Sequence, residues 1–284
     1  MSGLITIAVV VLLIFVFVPF NFLFFLSING SIPHGWSSYP RTSTDVYSTT
    51  VVQEVINNNV KNNYNAYRMS FNPSVNPNQY AQYYFDHSFT QLVADLWHNY
   101  PPTYMSDVDW EGYENKVISF CIEFSGFQDR ALIESPNECL DHDLGSKMQH
   151  VINEVRGLGY RFGFVINKFG SSQSWQDIAD IADPLNKIYG GTHLYFSETT
   201  VDFAKQTITN GLECGLKIIN TEVGADVDEH HEFSLFEVAE LSEFSVWCAE
   251  NNVGNFIWQR IGLENLPTYK NLGLINPYIG GIVK

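Results

Sequence analysis

The sequence predicts an α/β protein: a single (β/α)8 TIM barrel, preceded by an N-terminal hydrophobic helix. Three observations carry this. Short apolar runs alternate with stretches of helical periodicity, and eight such runs can be counted. Strands separated by helices of about 10–15 residues form parallel βαβ units. The chain has 284 residues, and eight units in roughly 250 residues suit a closed barrel. The runner-up, an open doubly wound sheet, usually shows a Gly-rich phosphate turn after its first strand. Asn29-Gly30-Ser31 is too short to be one.

The elements follow in order. Leu4 to Phe17 is apolar apart from one Thr, and the apolar character continues past Pro19 to Leu26. The whole run is long enough to span a bilayer, which takes about 20 residues. The first Lys or Arg is Arg41, so no basic flank sets an orientation. A signal anchor and a cleaved export signal both fit. A third reading divides the run: residues 1–20 form the signal or anchor segment, and Phe22–Ile28 becomes the first strand of a domain over 21–284. This division is favoured, and it leaves a short membrane link. Val51, Val52, Val55, Ile56 and Val60 recur at helical spacing. Ala66–Phe71 and Leu92–Trp97 read as strands two and three. A helix over Trp110–Phe124 leads to Ala131–Ser135. One over Lys147–Arg156 leads to Phe162–Ile166, and one over Ser174–Ile181 leads to Thr192–Phe196. Thr200–Asn210 leads to Leu216–Thr221. Val238, Leu241, Phe244 and Cys248 mark the last helix, and Asn255–Trp258 the last strand. No internal repeat or low-complexity linker interrupts this, so it reads as one domain.

Composition narrows the function classes. The net charge is -16, which excludes a nucleic-acid surface, because phosphate binding needs Lys and Arg. Aromatic residues make up 15%, more than a core alone uses, and the surplus Tyr and Trp suit a cleft that stacks on flat apolar faces. Charged residues total only 16%, and Asn, Ser, Thr and Tyr supply much of the polarity, an extracellular style of surface. Cys121, Cys139, Cys214 and Cys248 are far apart with no CxxC pair, which argues against a zinc ribbon; export would permit disulfides in any of three pairings, and the favoured reading is that most are buried small hydrophobes.

In a (β/α)8 barrel the active site forms at the C-terminal ends of the strands. The polar residues at those positions are Arg68 on strand two, His98 on strand three, Asn137 and Glu138 on strand four, and His193 and Tyr195 on strand six. Strand seven ends at Thr221-Glu222-Val223-Gly224, and strand eight carries Trp258. Glu138 and Glu222, three strands apart, would face each other across the mouth. A carboxyl pair about 5–5.5 Å apart suits retaining glycoside cleavage, with one group as nucleophile and one as acid/base. An Arg and a Tyr beside one of them would keep it ionised.

Asn137-Glu138 after an apolar strand, His193-x-Tyr195, Glu222 in Thr-Glu-Val-Gly, Trp258 on the last strand, Arg68 and His98 together resemble glycoside hydrolase family 5, the cellulase family. The resemblance spans residues 22 to about 262. It implies a retaining glycosidase acting on a β-linked polysaccharide, with Glu138 as acid/base and Glu222 as nucleophile. It also implies that Asn137 binds the sugar 2-OH, that Arg68 and Tyr195 hold Glu222, and that His193 lies near Glu138. His98 would contact the sugar, and Trp258 would form a stacking floor. Trp97 and Trp175 are candidate neighbouring subsites. The family usually has Pro after the acid/base, where this chain has Cys139. β-1,4-Glucan is the first substrate expectation, with β-mannan, β-1,3-glucan and transglycosylation as close alternatives. A carbohydrate-binding barrel without catalysis is the alternative from another class.

The mechanism requires no cofactor or metal. The run Asp226, Asp228, Glu229, His230, His231, Glu232 fits no dedicated zinc or calcium loop and reads as a solvated acidic loop. Glu123 reads as a helix-face residue and Glu134 as a barrel residue. The expected protein is exported to the extracellular space or cell surface, and is a monomer.

Overall fold

The computed structural model describes residues 34–38, 66–70, 91–98, 102–169, 173–224 and 235–257. Eight strands form a closed barrel in sequence order: β1 His34–Ser38, β2 Ala66–Ser70, β3 Gln91–Asp95, β4 Ala131–Glu134, β5 Gly163–Asn167, β6 Ile188–Tyr195, β7 Lys217–Gly224 and β8 Gly254–Ile257. Every neighbouring pair is parallel, and β1 closes the ring on β8 through His34↔Asn255 and Gly35↔Phe256. The first strand is therefore His34–Ser38. The expectation of Phe22–Ile28 is corrected: that segment lies outside the described residues, and the seat between β8 and β2 is already filled. Hydropathy misled at this element, because HGWSS has no apolar run to betray a strand. The expected N-terminal hydrophobic helix and the helix over 51–60 also fall outside the described residues.

Five helices are described: α1 Asp107–Glu123, α2 Leu144–Gly157, α3 Trp175–Ala179, α4 Val201–Glu213 and α5 Leu235–Glu250. Their starts follow local chemistry. Ser106 caps α1 by accepting from the Asp109 N–H, while the Asp109 side chain answers the Ser106 N–H. Ser174 and Asp177 do the same for α3, and Thr200 caps α4. The inward faces keep helical spacing. Trp110, Tyr113, Val117, Phe120 and Cys121 are buried on α1, and Leu144, Met148, Val151, Ile152 and Val155 on α2. They meet the outward side chains of the strands in one apolar layer, where each fully buried Leu, Ile or Phe contributes roughly 1.5–3 kcal/mol.

One irregularity matters for function. Thr192 pairs with Asn220 and His193 with Glu222, so Thr221 has no partner on β6. Against β8 the register slips at the same place, between Asn220 and Val223. Such a bulge breaks the in–out alternation of a strand. Asn220 points outward to Cys248 on α5, while Thr221 and Glu222, although consecutive, both reach into the barrel.

Candidate active site

The inward polar side chains converge on Arg68. Its guanidinium is fully buried and spreads over three strands. Nε donates to Glu134 Oε2 at 2.5 Å, Nη1 to Glu222 Oε1 at 2.5 Å and Nη2 to Asn137 Oδ1 at 2.7 Å. Asp95 Oδ2 lies 3.5 Å from Nη2. Burial alone would disfavour the charged guanidinium. The carboxylates of Glu134, Glu222 and Asp95 reverse this and raise its pKa further.

Glu222 ends up between two donors. Arg68 takes Oε1, and the Tyr195 hydroxyl donates to Oε2 at 2.5 Å. Burial, then the Glu222 charge, pushes the Tyr195 hydroxyl well above its ordinary pKa, so it remains a donor. Glu138 faces this pair. His193 Nδ1 lies 3.4 Å from Glu138 Oε1 and 3.5 Å from Glu222 Oε2. Ligand-type atoms of Glu138, His193 and Glu222 all lie within 4.8 Å of one another, so the two carboxylates meet across the mouth. On its other side, His193 Nε2 sits 3.1 Å from Thr221 Oγ1 and 3.3 Å from Asn167 Nδ2. Burial would lower the imidazole pKa, but Glu222, Glu134 and Glu138 outweigh it and raise the value to about 9.

The backbone at Glu138 is left-handed, with φ 49. Neighbouring loops hold it there. Thr103 N–H donates to Glu138 O, Leu140 N–H donates to Thr103 O, and the Gln173 Nε2 amide donates to Cys139 O and Asp141 O. None of these bonds uses the Cys139 N–H, so Cys in place of Pro breaks none of them. All four cysteines are free; Cys121, Cys139 and Cys248 are buried. Burial pushes the thiols of Cys121 and Cys139 to about 12.

His98 stands at the end of β3 with its side chain 25% exposed, and its Nδ1 is 2.8 Å from Asp95 Oδ2. Burial would lower its pKa, but the Asp95 contact raises it. Arg68, Asn137, Glu138, His193, Tyr195 and Glu222 are thus brought together, with His98 joined through Asp95. Trp258 and the acidic run over 226–232 lie outside the described residues. Glu123 is exposed on α1, as its helix-face reading expects.

Two expected subsites are corrected. The Trp97 ring lies against α1, where a Cβ on Gly112 would come within 2.9 Å of it, and Lys116 Nζ sits 4.1 Å from its centroid. Trp175 is 5% exposed, donates from Nε1 to Thr207 O at 2.9 Å, and fills the space beside Gly190 and Gly211. The Trp97 ring turns outward from the end of β3 onto α1, and Trp175, the first residue of α3, packs onto β6 and α4 in the layer between strands and helices.

Sequence reasoning gave no role to Asp95, Glu134, Asn167 and Thr221. The available signal was acidic residues closing the apolar strands QLVAD and ALIE, since a carboxylate is almost never fully buried unless paired. Asn167 and Thr221 carry no such mark. A resident metal fits the Glu138–His193–Glu222 trio poorly, because Arg68 and the Tyr195 hydroxyl already occupy both Glu222 oxygens.

No family model and no curated protein sequence matches the chain. Solved structures do match in fold. The catalytic domain of a mannanase from Streptomyces sp. SirexAA-E superposes with TM-score 0.67 at 12% identity, covering 89% of this chain and 87% of that one. A thermostable, halotolerant GH5 cellulase from an Icelandic hot spring isolate gives 0.61 at 16%, covering 79% and 75%. XacCel5A, solved in complex with cellopentaose, gives 0.57 at 15%, covering 74% and 80%. The chain thus shares its fold with this mannanase and this GH5 cellulase.

Proposed function

We propose that this chain is a retaining glycoside hydrolase of family 5 type that cuts a β-linked polysaccharide. One observation carries the reading. Two glutamates whose oxygens approach within 4.8 Å have different neighbours: Arg68 and Tyr195 grip Glu222, while Glu138 has neither.

In the first step a Glu222 oxygen attacks the anomeric carbon as the glycosidic C–O bond breaks, and Glu138 gives its proton to the departing oxygen. In the second, Glu138 takes a proton from water, the water oxygen bonds to the same carbon, and the bond to Glu222 breaks. Two inversions give net retention. The close carboxylate approach suits the 5–5.5 Å of this mechanism rather than the longer gap that leaves room for a water. Arg68 and Tyr195 hold the two Glu222 oxygens in place. Asn137, with Oδ1 accepting from Arg68, turns its Nδ2 donor edge to the sugar 2-OH. His98 contacts the same sugar, and Trp258 provides its apolar floor.

β-1,4-Glucan is the proposed polymer and endo action the proposed mode; β-mannan is the closest rival, since cellulases and mannanases share the fold. The apolar run to Leu26 is proposed to act as an export signal or anchor of an extracellular or cell-surface enzyme. The test is a panel of soluble β-glucan, β-mannan and β-1,3-glucan, with the anomer of the first product read by NMR. Retained configuration, abolished by Glu222→Ala, supports the reading. An inverted product, or a Glu222→Ala variant that still turns over, sinks it.

A further inference from the structure

Glu134 ends β4, four residues before Glu138. Its side chain is 0% exposed, a costly place for a carboxylate unless every oxygen is matched. Both are. Oε2 accepts from Arg68 Nε at 2.5 Å, and Oε1 accepts from Asn167 Nδ2, with His193 Nε2 at 3.8 Å. Its main chain is pinned as well, since the Tyr113 hydroxyl of α1 donates to Glu134 O at 2.6 Å.

Asn167 is seated for this contact. Gly191 lies opposite it in register, and a Cβ there would fall 1.9 Å from Asn167 Oδ1. That oxygen accepts from the Thr221 hydroxyl at 3.0 Å, the residue that the β7 bulge turns inward. One carboxylate therefore touches the arginine of Glu222 through one oxygen and the histidine of Glu138 through the other.

We infer that Glu134 is a positioning residue: it shares the Arg68 charge with Glu222 and, with its other oxygen 3.8 Å from His193 Nε2, holds His193 between the two glutamates. This rests on the function proposed above. Without Glu134, Arg68 would turn its whole charge on Glu222 and make it a poorer nucleophile. His193 would also lose a negative neighbour. Burial would raise the Glu134 carboxyl, yet Arg68 and His193 hold it below the usual range despite Asp95 nearby, so it is ionised where the enzyme works. The groups facing His193 are Glu134, Glu138, Glu222 and Arg68, together with Thr221 and Asn167.

The experiment is Glu134→Gln, which keeps the shape and removes the charge. The kcat falls roughly 10–100-fold, as for other residues that orient site groups, with KM within about twofold. The His193 imidazole, identified by its absence from the NMR spectrum of His193→Gln, titrates in the wild type well above the ordinary 6.5. In Glu134→Gln it shifts down by about one unit. A merely structural Glu134 would change the melting temperature and leave kcat and the titration alone. Asn167→Ala, which removes the neutral amide and leaves the Glu134 charge facing His193 Nε2, does not reproduce the downward shift. A folded Glu134→Gln protein with wild-type kcat and wild-type His193 titration overturns the inference. So does a wild-type His193 that titrates at or below 6.5 with Glu134 in place, a reading that needs no variant to fold. If the wild type cleaves no β-glycan, the underlying function fails instead, and the titration still reports whether Glu134 governs His193.

Discussion

Two arginines, one fully buried and one half-buried, sit at opposite ends of the barrel and do different work. Arg68, at the C-terminal end, divides its nitrogens among Glu134, Glu222 and Asn137, which come from β4, β7 and the loop after β4. Arg156, in the last turn of α2, meets a single carboxylate. Its Nε and Nη2 donate to Asp183 at 2.7 and 3.1 Å, and its remaining bonds go to the carbonyls of Tyr160 and Phe162 just before β5. Arg156 ties neighbouring loops together. Arg68 draws carboxylates from separate strands into mutual contact, which stability alone never requires. A buried cation that gathers acids from distant strands marks a reaction centre, whereas one that matches a single local acid is a staple.

The contrast can be broken by experiment, most sharply at Glu222. Glu222→Ala is expected to lower turnover on the order of 10⁴-fold, with folding checked by circular dichroism. Next, Arg68→Lys should cost roughly 10²–10³-fold in kcat, because a point charge cannot hold three acceptors at once. Arg156→Lys should leave kcat within twofold and lower the melting temperature by several degrees. Equal behaviour of the two lysine variants would erase the distinction.

A smaller effect separates the two ends by pH. The His193 pKa is raised in the fold to about 9, so its stabilisation is complete below the unfolded value near 6.5 and is lost as pH rises through about 9. Asp183 has the opposite sign. Burial would raise its carboxyl, but Arg156 and the Lys187 and Leu185 N–H groups lower it, so that contribution fades as the solution is acidified. Melting temperatures measured from pH 6 to 10 should fall on the alkaline side in the wild type and fall less in His193→Gln. Smallest on activity are Trp97→Leu and Trp175→Leu. Each should destabilise by roughly 2–4 kcal/mol in denaturant melts while KM on the preferred glycan stays unchanged.

Those tryptophans also show where the sequence stopped being legible. Seven of the eight strands announce themselves by apolar runs bounded by turns. The first, HGWSS, does not, because its pairing with β2 and β8 rather than its own hydropathy makes it a strand. At the site, Arg68, Asn137, Glu138, His193, Tyr195 and Glu222 were readable because a strand end followed by a polar residue defines the rim. The direction of a side chain beyond the strand end was not readable. Trp97 turns out toward α1, and Trp175, already on α3, packs back onto β6 and α4. Thr221 turns in only because the register slips beside it, and no local propensity encodes that slip. Glu134 was visible as an acid in an apolar strand, but its partners lie 33 and 66 residues away in sequence.

The left-handed backbone at Glu138 has an evolutionary consequence. A side chain other than Gly at φ 49 costs on the order of 1–2 kcal/mol, and the proton transfer proposed for Glu138 is what would reward keeping it. A lineage released from selection for turnover would gain stability by replacing that residue with Gly, or with Asn, which tolerates the same conformation. Decay should therefore begin at the acid/base, well before Arg68 or the barrel around it erodes. In related sequences, glycine at this one position would be the early fossil of a lost activity, and a glutamate there is the mark of a lineage in which selection still holds the strained residue in place.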